Sequence, residues 1–366
     1  MQPHPRHAAA HQPSPGATMP EAAENVVRSV QDYYGSVLTS SDDLQTSACC
    51  IAEPPPPHVA EALRAVHPEV LNRFYGCGSP IPSALDGATV VDLGCGTGRD
   101  SYVIAQLVGP AGHVVGVDMT AEQLAVAHAH QDWHAERFGF ANTEFREGFI
   151  EDLAAAGIED DSVDVVVSNC VVNLATDKQR VFDEAFRVLK PGGELLFSDV
   201  FAGRRIPQHL TEDPVLRGEC LSGALYVEDL RRALASAGCL DARVVSSRPL
   251  SIDNPVIERQ IGYVGFTSMT IRAFKLPLED RCEDYGQVAW YLGTIPEEPH
   301  RFTLDDHHDF EAGRPVLVCG NTADMLSASR YGRHMRIEGD KRTHHGLFDC
   351  GPAAAVTASP PTGPCC

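Results

Sequence analysis

The chain is predicted to be an α/β protein: a parallel, doubly wound sheet with a helical segment before it and a smaller α+β domain after it. Three observations predict this. Short apolar strands alternate with amphipathic helices from residue 88 onward. The strands stop at glycines or acids, as strands of a parallel sheet do when their loops carry a site. Hydrophobic residues make up 43% of 366 residues, enough for a sizeable core and about two domains.

The elements are expected in this order. Residues 21–39 carry Val26, Val27, Val30, Tyr34 and Val37 at helical spacing. A proline run follows "SACC", and 58–75 is expected to be helical, with Val59, Leu63, Val66, Val70, Leu71 and Phe74 as its stripe. Strand 89–93, helix 99–108, strand 113–118, helix 121–139, strand 143–148, strand 163–169, helix 177–190 and strand 192–200 then build the sheet. Helix 227–237 and strand 242–247 complete it. Residues 1–25 are expected to be a disordered leader and 26–248 the sheet domain with its N-terminal helices. Residues 249–340 are expected to form the small α+β domain, and 341–366 a disordered, cysteine-ended tail.

The formal net charge of −21 argues against nucleic acid or an anionic membrane surface as the main partner. No stretch reaches the roughly 18 apolar residues of a membrane span. The N-terminal "MQPHPRHAAAHQPSPG" lacks the apolar core of a secretory signal, so a cytoplasmic location is expected. Twelve cysteines are many for such a chain, and none forms CxxC. Each is on its own read first as a small buried hydrophobe.

The stretch "VVDLGCGTGRD" leaves the first strand and opens a helix. Gly94, Gly96 and Gly98 let backbone approach a ligand, Asp92 is placed to accept from an α-amino group, and Asp118 to take ribose hydroxyls. The GxGxG spacing after an acid resembles the S-adenosylmethionine loop of the Rossmann-like class I methyltransferases rather than a nicotinamide fingerprint. Met119, Ile150, Glu151 and Asn169 extend the expected cofactor set; Glu151 reads equally well as a solvated loop acid.

Cys170 directly follows the fourth strand, at the sheet's carboxyl edge. Cys220 lies in a long insertion of the kind that roofs pockets, and Cys77 and Cys49 lie on elements upstream of the sheet. The sequence allows these four to converge. Several thiolates beside a methyl donor would hold a soft, thiophilic centre, and proximity would supply most of the rate.

"VQDYYGSVLTSSDDLQTSACC", "HPEVLNRFYGCG", "VVDLGCGTGRDSYVIAQLVGPAGHVVGVDMT", "VVSNCVVNL" and "GECLSGALY" occur in that order. Together they resemble the arsenite methyltransferases, over residues 27 to about 335. The resemblance implies S-adenosylmethionine as methyl donor, and arsenite or its glutathione conjugate as substrate. It implies Cys170 and Cys220 as arsenic ligands, Cys77 as a third thiolate or redox partner, and Cys49 as the fourth catalytic cysteine. It also implies Tyr75 near the sulfonium, Glu219 as a pocket acid, and thioredoxin or glutathione as reductant. Cys50 and Cys95 carry no role in it. Two other readings stay open at this level: a methyltransferase of an organic metabolite, for which no clear pocket base is visible, and a thiol-rich metalloid-binding protein with an idle cofactor fold.

Overall fold

The computed structural model describes residues 21–37, 54–211, 213–252 and 254–349. Cys49, Cys50, the leader before Glu21 and the Cys365–Cys366 pair lie outside the described residues.

Helix α1 (Glu21–Asp32) passes into one π-helical turn at Tyr33–Val37. The helix expected over 58–75 is instead two, α2 (Pro57–Leu63) and α3 (Pro68–Asn72). Pro68 drives His67 out of the helical region, to ψ 136°, and His67 Nδ1 then accepts from the Glu69 N–H to cap α3.

The sheet domain runs β1 (Thr89–Leu93), α4 (Arg99–Val108), β2 (His113–Asp118), α5 (Ala121–Ala129), α6 (Gln131–Phe138), β3 (Thr143–Glu147), β4 (Val163–Asn169), α7 (Lys178–Val188) and β5 (Leu189–Ala202). The single helix expected over 121–139 breaks at His130, whose ψ of 6° ends α5. The insertion after β5 holds α8 (Gln208–Thr211) and α9 (Pro214–Gly218), followed by β6 (Leu225–Tyr226), α10 (Val227–Ser236) and β7 (Arg243–Pro249). Next come α11 (Pro255–Ile261) and β8 (Phe266–Phe274). The order across the sheet is β3-β2-β1-β4-β5-β8-β7, with β6 also beside β5. Strands β1 to β5 are parallel, and β8 runs antiparallel between β5 and β7.

The expected boundary at 248/249 is therefore displaced. Residues 255–261, read as part of a β-rich run, are helical, and β8 belongs to the large sheet. The reason is burial on both faces: eight of its nine residues are buried, with Phe266, Met269, Ile271 and Phe274 packing into the cores. The residues alternate, Met269, Ile271 and Ala273 apolar against Ser268, Thr270 and Arg272 polar, but the polar face is buried too, on Cys77, Ser198 and Glu194, and alternation does not say which sheet a strand joins.

The small domain comprises β9 (Glu283–Asp284), β10 (Gln287–Tyr291), β11 (Arg301–Asp305), β12 (His308–Glu311), β13 (Pro315–Val318), α12 (Gly320–Ser327), β14 (Met335–Glu338) and β15 (Gly346–Leu347). Its core is aromatic: Tyr291, Phe302, Phe310 and Tyr331 are fully buried. β15 pairs with β9, so the region expected to be tail from 341 is paired structure at 346–347. Glu194 on β5, fully buried, ties the domains together by accepting from Arg272 on β8 at 2.8 Å and from Arg330 and Tyr331.

Candidate active site

The carboxyl ends of β1, β2 and β4 open into a cleft of about 990 Å³, walled on its other side by α1 and by the segment 73–75. Tyr75, Asp92, Gly94, Gly96, Asp118, Met119, Ile150, Glu151, Asn169 and Cys170 all line it. Gly98 does not. It takes φ 84° as the residue capping α4, and a Cβ there would meet the Phe145 ring at 2.7 Å, so its work is turning and packing. Cys49 lies outside the described residues.

The loop is bare where it faces the cleft. At Gly96, with φ 54°, an added Cβ would meet nothing closer than 3.8 Å, which leaves room for a ligand against backbone. Asp118, buried at the end of β2, accepts from the Gly96 and Thr120 N–H groups, each at 2.8 Å. Burial raises its carboxyl and these donors oppose the rise. Asp92 accepts from Ser101 Oγ at 2.6 Å; burial first, and Asp100 second, push it up to about 8. Three buried carboxylates thus share this end of the cleft, with Arg99 in ion contact with Asp100 at 3.0 Å. Such a donor set fits an organic cation that carries an ammonium and a sulfonium, and the residues present fit S-adenosylmethionine on that ground.

Asn169 closes the floor. Its side chain pairs both ways with the Gly78 backbone, at 2.9 and 3.3 Å, and donates to Asp100 Oδ2 at 2.9 Å. It thereby fastens the Cys77–Gly78 segment to the sheet edge. Glu151 lines the cleft and also accepts from the Thr176 backbone N–H at 3.0 Å, so it is anchored rather than free in solvent.

Cys170 stands at the far end, and of the three expected arsenic ligands it is the one that lines the cleft. Cys77 and Cys170 are joined in a disulfide with Cα atoms 5.8 Å apart. Cys220 Sγ lies 3.4 Å from the Cys170 carbonyl oxygen, inside one apolar cluster with Cys77, Leu174 and Leu221. Of the described non-glycine residues, four have positive φ, and two of them are Cys170 (59°) and Cys220 (60°). That backbone geometry costs on the order of 1–3 kcal/mol per residue and persists where surrounding structure enforces it.

Asp199, inside β5 and three residues before its end, was missed by the sequence reading. One of its oxygens lies within 4.8 Å of the sulfurs of both Cys77 and Cys170. Asn173 holds it through its backbone N–H at 3.0 Å and its side-chain amide at 2.7 Å, and burial pushes it up to about 7. Lys178 is half-buried, donates from Nζ to the Ala175 carbonyl at 3.0 Å, and is lowered by burial while the nearby charge of Asp199 opposes that. A signal was present: in "GGELLFSDV" Asp199 is next to last in the strand expected over 192–200, as Asp92 is next to last in 89–93.

A roof covers both halves. Tyr33 Oη donates to Glu219 Oε1 at 2.9 Å and Tyr34 Oη to the Gly218 carbonyl at 2.8 Å, clamping the loop that carries Cys220. Gln31 Nε2 donates to the Met119 carbonyl and Gln123 Nε2 to the Tyr34 carbonyl, clamping the same turn to the cofactor side. Among the described residues no helix is long and apolar enough to cross a membrane.

A family profile described as a methyltransferase domain matches residues 84–238, and one described as the arsenite methyltransferase C-terminal domain matches 285–359. An arsenite methyltransferase of Aquipseudomonas alcaligenes is 54% identical, over 90% of this chain and 98% of its own length. The human arsenite methyltransferase is 44% identical, over 85% of this chain and 84% of its own. The crystal structure of an arsenic(III) S-adenosylmethionine methyltransferase from Chlamydomonas reinhardtii superposes with a TM-score of 0.78 at 49% identity, covering 81% of this chain and all of that one. With an α/β sheet, a bare glycine loop over buried acids and cysteines gathered at the same edge, this chain belongs to the arsenite methyltransferase family.

Proposed function

We propose that the chain transfers methyl groups from S-adenosylmethionine to trivalent arsenic held by the thiolates of Cys77, Cys170 and Cys220. The observation that carries this is Cys170 at one end of a cleft whose other end is a nest of buried carboxylates, with Cys77 bonded to it and Cys220 packed in the same apolar cluster behind it. When bound, S-adenosylmethionine supplies an electrophilic methyl on a sulfonium. Asp92 and Asp118 would receive its ammonium and ribose, with Tyr75, Met119, Ile150 and Asn169 forming the walls. The soft centre presents a lone pair, so no general base is required at the transfer step, and holding the two ends of the cleft in line is the main contribution of the protein.

The Cys77–Cys170 disulfide corresponds in this reading to the oxidised form of the site, in which two of the three sulfurs are withdrawn from binding. An external thiol, thioredoxin or glutathione, would return them to thiolates, and Cys49 would take part in that relay. Such a cycle needs a reducing compartment, which a cytoplasmic location supplies. Arsenite or its glutathione conjugate would arrive as substrate.

The test is incubation of purified protein with methyl-labelled S-adenosylmethionine, arsenite and a thiol, followed by speciation of arsenic. Methylated arsenicals are expected. Label appearing only on an organic acceptor would overturn the assignment.

A further inference from the structure

A second pair of sulfurs lies far from the cleft in sequence and in fold. Cys319 caps α12 of the small domain and is fully buried; its Sγ accepts from the Thr322 N–H at 3.4 Å and lies 3.2 Å from Thr322 Oγ1. Arg243, reaching across from β7, donates to the same sulfur at 3.8 Å. Cys282, half-buried on the loop before β9, hydrogen-bonds to Cys319 through its own thiol. That loop is fixed in place: Asn321 binds the Glu279 N–H and carbonyl at 2.9 and 2.8 Å, and the Phe348 N–H donates to the Cys282 carbonyl at 2.7 Å.

Sulfur is a poor capping atom beside the oxygen of Ser, Thr or Asp. A thiolate, however, suits a helix N-terminus and a guanidinium. The Cys282 thiol, the Thr322 donors and Arg243 together draw Cys319 down to about 5, against the opposing effect of burial. The surroundings therefore favour one thiolate and one thiol in contact. No third cysteine, histidine or acid among the described residues completes a metal-ligand cluster with them. Zinc, which takes four such ligands, is poorly matched. A soft centre that accepts two sulfurs is well matched.

We propose that Cys282 and Cys319 form a second dithiol site that binds trivalent arsenicals bearing one organic substituent and two exchangeable oxygen ligands. The arsenical class rests on the function proposed above; the dithiol itself does not. Capture proceeds in two exchanges. The accessible Cys282 thiol displaces one hydroxide, its proton leaving with that oxygen as water. The Cys319 thiolate displaces the second hydroxide, which leaves as water with a proton from solvent. Two arsenic–oxygen bonds and one sulfur–hydrogen bond break, two arsenic–sulfur bonds form, and arsenic stays trivalent. The molecule that fits is the monosubstituted product of a first methyl transfer.

Phenylarsine oxide tests the site without any methyl transfer. The chain carrying Ser at Cys49, Cys50, Cys77, Cys170, Cys350, Cys365 and Cys366 is expected to take up one phenylarsine by intact-mass measurement, removable by a dithiol and resistant to a monothiol. Adding Cys282→Ser, a change at a half-buried position, is expected to weaken uptake about 100-fold through loss of the second attachment. Cys319→Ser should do the same while keeping the α12 cap and the thermal unfolding midpoint. No uptake in the starting variant, or uptake that survives both serines, would overturn the proposal. Arsenite methylation by the intact chain is scored separately: phenylarsine capture without it would remove the arsenic function and leave the dithiol, and methylation without capture would do the reverse.

Discussion

Cys220 Sγ sits 3.4 Å from the Cys170 carbonyl oxygen, and both residues hold φ near +60°. Two strained cysteines on different elements, each presented at the same point, are difficult to attribute to packing alone. Serine at either position retains the backbone geometry and removes the soft ligand. Arsenite affinity is expected to fall more than about tenfold, since even changing a group that hydrogen-bonds an ion's ligand costs that much, while S-adenosylmethionine affinity stays within about twofold. Titration calorimetry with each ligand separately checks this; equal loss of both would make the sulfurs structural.

Asp92 gives the cofactor end a pH signature. Burial and Asp100 raise it to about 8, so at neutral pH the empty cleft holds it protonated. A cation bound beside it favours the carboxylate and expels that proton. S-adenosylmethionine binding should then release about one proton at pH 7 and tighten as pH rises toward 8. Calorimetry in buffers of different ionisation enthalpy measures the release, and Asp92→Asn should abolish it.

Asp199 gives the sulfur end another, of stability. Its folded value is raised to about 7, mainly by burial, above the ordinary carboxylate value. In that window the native state binds a proton the unfolded chain does not, so its contribution is fully present below about pH 4 and is lost as pH rises through 7. The difference in denaturant midpoint between pH 5 and pH 8 should shrink in Asp199→Asn, and an unchanged difference would assign the slope elsewhere.

Tyr33→Phe removes one hydroxyl, 186 residues in sequence from its partner Glu219. Loss of a hydrogen bond to a buried charged group costs about 1.5–3 kcal/mol. The expected result is a raised KM for arsenite with kcat largely kept, read from initial rates. A drop in kcat alone would place Tyr33 nearer the reacting atoms.

Glu194→Ala leaves two guanidinium groups, Arg272 and Arg330, facing each other without the fully buried acid. Removing one member of such a group costs about 3–5 kcal/mol. The unfolding midpoint should fall sharply while the affinity for S-adenosylmethionine, bound at the opposite ends of the strands, is kept.

Much of the architecture was legible because local chemistry agreed with the global fold. The runs at 89–93, 113–118 and 163–169 became β1, β2 and β4 at those limits. β8 was not assigned to the large sheet, because the alternation of Met269, Ile271 and Ala273 with Ser268, Thr270 and Arg272 marks a strand without naming its partners β5 and β7. Pro68 broke a helix whose apolar stripe ran past it, and His130 broke one expected from helical composition, so neither periodicity nor composition located the break. At the site, the glycine loop and Cys170 stood beside strand ends and were found by that position. Asp100, Asn173 and Lys178 act through partners distant in sequence, which no spacing rule exposes.

The roof has a consequence for how a turnover ends. The end of α1 and the turn Tyr33–Val37 after it are tied at once to the Met119 side, through Gln31, and to the Gly218–Glu219 loop, through Tyr33 and Tyr34. In the proposed cycle, lifting this roof to exchange spent donor for fresh would also uncover the sulfur end, so walls would not hold an intermediate between rounds. Sulfur bonds would, and each methyl gained would take up one valence that sulfur had used. The leash would shorten by one thread per round, making escape progressively easier, and the mixture of products would become a race between reloading the donor and letting go.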